Sequence, residues 1–314
     1  MPGLITYIQP TVAMTDPDIT ITTKAVSGVL LTVPDIAASG TLGTGSVVLS
    51  GDTNSAAGNY SVAIGGSLNN VNSSYSSSCG GYICNIDARY SVICGGNTNT
   101  ISDSWTGRSG IVSGESNTIG VDVTHSFVGA GKSNTVSASY AVIPGGTGNK
   151  VTGEGGMAIG NSAHSTKPCQ LAISGGKFSA VGDAQRSVLV MRAETTTNVA
   201  VRMTSDGQPA SALNQLVFPA NSAGIVSYHI VAKATGSQNA AFFWGRRRVT
   251  KGATNASILV ALMGADNSSD TVNQSCSVSV SADTVLGAVK FDVTGAAGTM
   301  LHWVASVDVL EVTY

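Results

Sequence analysis

Charge is scarce in this chain: Asp, Glu, Lys and Arg make up 11% of its 314 residues, and the formal net charge is -2. Amphipathic helices need charged outer faces, so little material is left for them. A balance this close to neutral also gives no electrostatic reason to expect nucleic acid or an anionic membrane as a partner. Aromatic residues are only 5%. No segment approaches the roughly 18 apolar residues of a membrane span. The opening Met1-Pro2-Gly3-Leu4 lacks the basic and then apolar regions of an export signal. The expectation is a chain made in the cytoplasm, without membrane insertion. Five cysteines, with no CxxC pair, suggest neither a secreted disulfide framework nor a zinc site. The four histidines, His125, His164, His229 and His302, show no metal-binding spacing, and neither a nucleophile elbow nor a phosphate-binding loop is present. No catalytic residue, metal or cofactor is expected, and the chain reads as not an enzyme.

What is abundant is glycine, at 38 residues, together with Ser, Thr, Asn, Val and Ala. That composition favours β-strands joined by tight turns. The glycines are periodic. A turn written aromatic-Ser-Val-x-x-Gly-Gly recurs clearly at Tyr60, Tyr75, Tyr90 and Tyr140, and in degraded form at Gly45, Ser109, His125, Gly155 and Gln170. The nine starts are spaced 15, 15, 15, 19, 16, 15, 15 and 15 residues. A second signal lies ten or eleven residues into most turns, as in Asn85-Ile86, Asn117-Thr118-Ile119 and Asn134-Thr135-Val136. Each turn therefore carries two short strands, with Gly and Asn expected to supply positive φ at the corners.

Alternation along the first strand is read as placing its third and fifth positions inside, for example Val62 with Ile64 and Met157 with Ile159, beside the Val or Ile of the second strand. The fourth position then faces outward: Ala63, Ile93, Val112, Val128, Ile143, Ala158 and Ile173. An apolar ridge of that length needs cover. A turn that buries so few side chains also does not offset backbone ordering at about 1 to 2 kcal/mol per residue. Copies of the chain are therefore expected to pack along this ridge as a homotrimer, with those seven residues as its interface. Cys79 and Cys94 fall at one repeat position on adjacent turns; a disulfide is sterically conceivable, and two reduced thiols filling a core slot is the favoured reading.

Beyond Gly182 the runs lengthen, with strands expected near Val217, at Ile225 to Ala234, Ala241 to Val249, Ser257 to Leu262, Cys276 to Ser281, Val285 to Val293 and Leu301 to Val312. That number suits an antiparallel β-sandwich or jelly roll. Its candidate recognition residues are Trp244, Arg246 and Arg248, and Asp266, Asn267 and Asp270 in the loop that follows. An aromatic face stacks on a sugar ring while Asn and Asp bind hydroxyls. The Arg246-Arg247-Arg248 run is otherwise a solvated strand edge or an intersubunit ion-pair site.

The turns YSVAIGG, YSVICGG and GGMAIGN, each followed by NTI- or NTV-like segments, resemble the head repeats of trimeric autotransporter adhesins of the YadA type over about residues 45 to 180. The resemblance implies a left-handed parallel β-roll and an intertwined homotrimer. The chain departs from those adhesins in lacking an export signal, a heptad stalk and a membrane-anchoring barrel. The same roll occurs in fibres of tailed bacteriophages, and the segments Gly182 to Ser187, Thr195-Thr196-Thr197, Asn214-Gln215-Leu216 and Trp303-Val304-Ala305 are similar to a C-terminal module of phage tail fibres and other virion proteins. The organisation this implies is a virion-attachment arm at 1–44, a roll of about nine turns at 45–181, a connector at 182–212 and a sandwich tip at 213–314. The implied function is a trimeric structural fibre of a virion, joined to other virion proteins through its arm and to a host-surface glycan through its tip. The alternatives are a capsid- or baseplate-decorating fibre without a receptor role, and a polysaccharide depolymerase using Asp103 and Glu115 beside Trp105.

Overall fold

The computed structural model describes residues 43–49, 53–104, 107–270 and 276–314, all within one compact unit. The expected attachment arm, apart from its last two residues, and Trp105 lie outside the described residues. The described fold is all-β, with one short 3-10 helix at Asn255–Ser257. Residues from Gly43 to Gly175 coil into a parallel β-roll, and an antiparallel β-sandwich follows. One face of the roll contributes nine strands to a fifteen-stranded sheet, and the other face is a seven-stranded sheet. Val47, Val62, Ser77, Val92, Gly110, Phe127, Val142, Met157 and Leu171 stand in one register column. At the strand spacing the stack is roughly 40 Å long.

That register moves two of the expected repeat starts by one residue. Arg108 and Cys169 occupy the corner held elsewhere by Tyr60, Tyr75, Tyr90, His125 and Tyr140, and all seven take φ between 54° and 62°. Left-handed backbone in non-glycine residues is costly, and ring stacking offsets part of the cost. Tyr60, Tyr75 and Tyr90 stack at centroid separations of 5.3 and 5.1 Å, the Arg108 guanidinium lies 5.1 Å above Tyr90, and His125 stacks on Tyr140 at 5.2 Å.

The corner fixes the phase of the strand, and the phase is the reverse of the expected one. The second position, Ser61, Ser76, Ser91, Ser109 or Ser126, turns inward. Its hydroxyl accepts the backbone N–H of the matching residue one turn on, as from Ser76 to Ser91 at 3.1 Å and from Ser126 to Ala141 at 3.1 Å. The fourth position therefore also points inward. Ala63, Ile93, Val128, Ile143 and Ala158 are wholly buried inside their own chain, against Val71, Ile86, Ile101, Ile119, Val136 and Val151 of the second strands. They form the dry interior and do not face a neighbouring copy. Val112 and Ile173 do face outward, because the shifted starts make them fifth positions. Cys79 and Cys94 are likewise exposed fifth positions and free thiols, not fillers of a core slot.

The repeat asparagines are not corner residues with positive φ. Asn69, Asn99, Asn117, Asn134 and Asn149 are buried, and each follows the residue that takes the left-handed conformation. Their side chains form a ladder. Asn117 Oδ1 accepts the Asn134 N–H at 3.1 Å and Asn134 Oδ1 accepts that of Asn149 at 3.0 Å, while each Nδ2 donates to glycine carbonyls such as Gly131 and Gly146. One rung differs: Cys84 stands in the column between Asn69 and Asn99.

The roll has no break before the sandwich. Its last strand, Leu171–Gly175, pairs antiparallel with Ala184–Thr195, whose other edge pairs over twelve residues with Leu301–Thr313. Ser222–Ala234 and Ala240–Lys251 follow in the same sheet. Ala184–Thr195 thus lies within the sandwich sheet, and its Leu189 and Met191 belong to the sandwich core. A smaller sheet built on Ala288–Thr294 covers that core, with Phe291 edge-on to Tyr228 and Trp303 donating from Nε1 to Thr195 Oγ1 at 2.9 Å. At the seam, Gln185 accepts the His164 N–H at 2.8 Å and donates to Glu311 at 2.8 Å.

Two outcomes follow from these ladders. Cys84→Asn should complete the asparagine column and raise stability by about 1 kcal/mol, whereas Asn117→Ala should lower it by about 2 kcal/mol, both read by denaturant melts. Burial, reinforced by the nearby positive charges of Lys150 and Lys167, lowers the pKa of His164 to about 4 from 6.5. A base with a depressed folded pKa binds more protons when unfolded, so its site loses stability as pH falls from 6.5 towards 4. Melting curves at pH 7.5 and 5 should show a smaller drop for His164→Gln than for the wild type; equal drops would contradict this assignment.

Candidate functional site

The outer edge of the large sheet is one strand interrupted in its middle. Leu259–Leu262 pairs with Arg247–Thr250 and Asn267–Asp270 pairs with Ala241–Trp244, so residues 263–266 lie opposite only Gly245 and Arg246. Extra residues on one strand of a pair bend it and re-aim its side chains. Here Met263 keeps a hydrogen bond to the Arg246 carbonyl at 3.1 Å, and the Asp266 side chain reaches the Tyr228 hydroxyl.

The Asp266 carboxylate accepts from the Tyr228 hydroxyl at 2.6 Å and from Arg247 Nη1 and Nη2 at 2.6 and 2.5 Å. The two-pronged bond to Arg247, joined by the Tyr228 hydroxyl, holds the Asp266 carboxyl below its usual range. Burial, with the hydrogen bond to Asp266, pushes the Tyr228 hydroxyl up. A Cβ at position 245 would collide with both the Asp266 carboxylate and the Tyr228 hydroxyl, so a larger residue there would displace this hydrogen-bonded pair.

Alternation separates the expected recognition residues. Trp244 and Arg246 lie on the exposed face of their strand, and with His229, Met263 and Asn267 they line a notch of about 280 Å³ whose floor is Tyr228 and Gly245. Arg248 shares their exposed face but lines a different, apolar groove beside Leu310 and Val312. Asp266 does not line the notch; it bonds to Arg247 and to the floor residue Tyr228. Asp270 pairs with Ala241 at the far end of the edge strand, away from the notch. The arginine run is therefore not wholly a solvated edge: Arg247 is buried, and its guanidinium lies 5.5 Å from the Tyr228 ring centroid. Sequence reasoning missed Arg247, Tyr228, His229 and Met263. The one signal available was parity, since the middle residue of three in a strand points the other way.

The carboxylates considered for polysaccharide cleavage are not brought together by any described contact. Glu115 is exposed and paired with Lys132 at 2.9 Å, and of Asp103 only the backbone is described.

No protein-family model matches the chain, and no curated protein does. The solved structures similar to it include three phage tailspikes. The tailspike of Acinetobacter baumannii phage AM24 is matched at 11% identity and a TM-score of 0.23, over 84% of this chain and 54% of that one. Tailspike gp49 of Acinetobacter baumannii bacteriophage Fri1 is matched at 9% identity and 0.23, over 83% and 56%. The tailspike of Acinetobacter phage vB_ApiP_P1 is matched at 9% and 0.21, over 82% and 56%. The chain thus spans about half the length of the tailspikes it matches. The Fri1 protein is described as a capsular polysaccharide depolymerase, an enzyme. That finding overturns the expectation that this chain is not an enzyme, which is withdrawn; at these TM-scores the likeness assigns no reaction to this chain.

The pairing of buried Arg247 with exposed Asp266 generates its own test. Removing Asp266 leaves a buried guanidinium without its counter-charge, which is costlier than removing both groups. A double-mutant cycle of Asp266→Ala and Arg247→Met should give a coupling of about 1 to 3 kcal/mol in denaturant melts. Additive losses would show that the pair does not act as a unit.

Proposed function

We propose that this chain is a structural subunit of a phage virion fibre, assembled as a homotrimer and holding a host-surface glycan at the notch around Trp244. The observation that carries the reading is the joining of the roll to the sandwich by one continuous sheet, with the notch cut into the sandwich's outer edge. A stack of identical turns is a stiff spacer, and a sheet that continues through the seam leaves no hinge between the spacer and the binding end. The resemblance of the repeats to phage fibre rolls supports the virion setting, and the N-terminal segment is the proposed attachment to other virion proteins.

The notch suits a sugar in size and chemistry. The exposed indole of Trp244 offers an apolar face to ring C–H groups, Arg246 a cation for an acidic sugar, and His229 and Asn267 hydrogen-bonding groups for hydroxyls. A single site this small binds weakly. Three sites on one rigid trimer raise apparent affinity by about a hundredfold or more without any new contact.

Binding of the full chain to immobilised bacterial surface polysaccharides, read by biolayer interferometry, tests the proposal. At least one polysaccharide should be retained by the wild type, and Trp244→Ala should weaken that binding by tenfold or more while the melting curve stays unchanged. The same samples assayed for new reducing ends report whether bound polysaccharide is also cleaved. Retention by Trp244→Ala equal to that of the wild type would remove the notch from the account.

A further inference from the structure

The inward turn of the fourth position leaves the third and fifth positions of each roll strand facing out. Nine strands with two outward positions each give eighteen residues, and none of them is charged; Ser77 is the only one with a polar hydroxyl or amide. The opposite, seven-stranded sheet turns out Asn70, Asn85, Thr100, Thr118, Thr135 and Lys150 instead. Water-facing chemistry is therefore confined to one of the two faces. The uncharged stretch ends at the seam, where the same face carries the Arg186–Asp308 ion pair. Leu171 and Ile173 stand beside Val188 and Arg186 in the same sheet, and beyond them exposed Val190, Leu310 and Val312 alternate with charged groups.

Gly110 marks where this face meets something outside its own chain. It is the single glycine of the third-position column, set in a strand, where glycine weakens pairing and packs nothing. Its own chain does not demand it. The backbone there is not left-handed, and a Cβ would approach Val92 Cγ1 no closer than 3.5 Å and Phe127 Cδ2 no closer than 3.8 Å. The result is a dent directly beside Phe127, the bulkiest outward side chain of the column, which stands largely exposed.

We propose that copies of this chain pack on one another through the roll's outward part of the fifteen-stranded sheet, the Phe127 ring of one copy lying over the Gly110 dent of the next. The occupant is a second copy because its relief repeats with the same rise. Only a partner with one row of side chains per strand spacing stays in step over nine turns, and only an equally uncharged partner leaves no charge buried unpaired. The roll alone offers on the order of 400 Å² from its length and strand spacing, already as large as the biggest apolar patch of an ordinary monomer. That is about half of the roughly 800 Å² per partner of a standard interface, and the roll supplies it as one uncharged strip. The inference stands without the host-attachment reading and concerns only self-assembly.

Sedimentation velocity of the full chain over a range of concentrations tests it, with far-ultraviolet circular dichroism as the check on folding. The wild type should run at a multiple of its 31.6 kDa mass, three copies in the proposed fibre. Val142→Glu, on the outward face, should weaken assembly at least tenfold. Thr135→Glu, at the matching outward position of the other sheet, should leave assembly unchanged. Gly110→Val should fold at least as well as the wild type and still assemble more weakly, an effect that a role confined to its own chain does not produce. Alkylation of Cys79 and Cys94, both on the proposed interface, should be slow in the assembly and fast in Val142→Glu. A wild type that stays at 31.6 kDa overturns the proposal. So does wild-type assembly by both Val142→Glu and Gly110→Val. If Val142→Glu does not fold, Gly110→Val decides the matter alone.

Discussion

In-register stacking of each turn on the last is the constraint from which the rest of this structure follows. A turn of this size encloses two or three apolar side chains, far too few to hold its backbone in place unaided. Turn-to-turn hydrogen bonds supply what the core does not. Besides the strand ladders, two columns of buried side chains repeat the same bond over successive turns, serine hydroxyls from Ser76 to Ala141 on one side and asparagine amides from Asn99 to Asn149 on the other. Buried polar groups are tolerable only when their bonding is complete, and here completion requires that the next turn sit one strand spacing away in the same register. The columns therefore specify the fold as well as stabilise it.

Phase follows from the same columns. Once the second position is committed to an inward hydroxyl, alternation puts the fourth position inside and the third and fifth outside. The roll then presents an uncharged flat face on one side and a polar one on the other. The continuous sheet carries the same alternation through the seam into the sandwich, where an interrupted edge strand opens the notch at Trp244. Interior ladder, outward face and recognition notch are linked by the geometry of one sheet.

The period was legible in the sequence because glycine recurs wherever the chain passes close to its neighbouring turn; at Gly114, for instance, a Cβ would meet the Gly131 carbonyl. Strand positions in the sandwich were legible for a similar reason, since long alternating runs such as Leu301–Thr313 admit few alternatives. Phase was not. Apolar residues occupy the third, fourth and fifth positions alike, as in Val62-Ala63-Ile64, so hydrophobicity alone did not say which parity is inside. Arg108 and Cys169 hid two corners because neither resembles the tyrosine it replaces, although both adopt its left-handed backbone. At the candidate site, Trp244, Arg246 and Asn267 were found by their chemistry. Arg247 was missed because a run of three arginines reads as a solvated patch until alternation within the strand turns its middle member inward.

The central claim is that the buried asparagine column holds the turns in register. Hydrogen exchange resolved to single amides tests it most directly. The backbone N–H groups of Asn117, Asn134 and Asn149, each donated to the asparagine one turn earlier, should rank among the slowest in the chain, as slow as those of Val307 in the central sandwich strand. Exchange of those three amides at rates typical of exposed turns, with Val307 still protected, would contradict it.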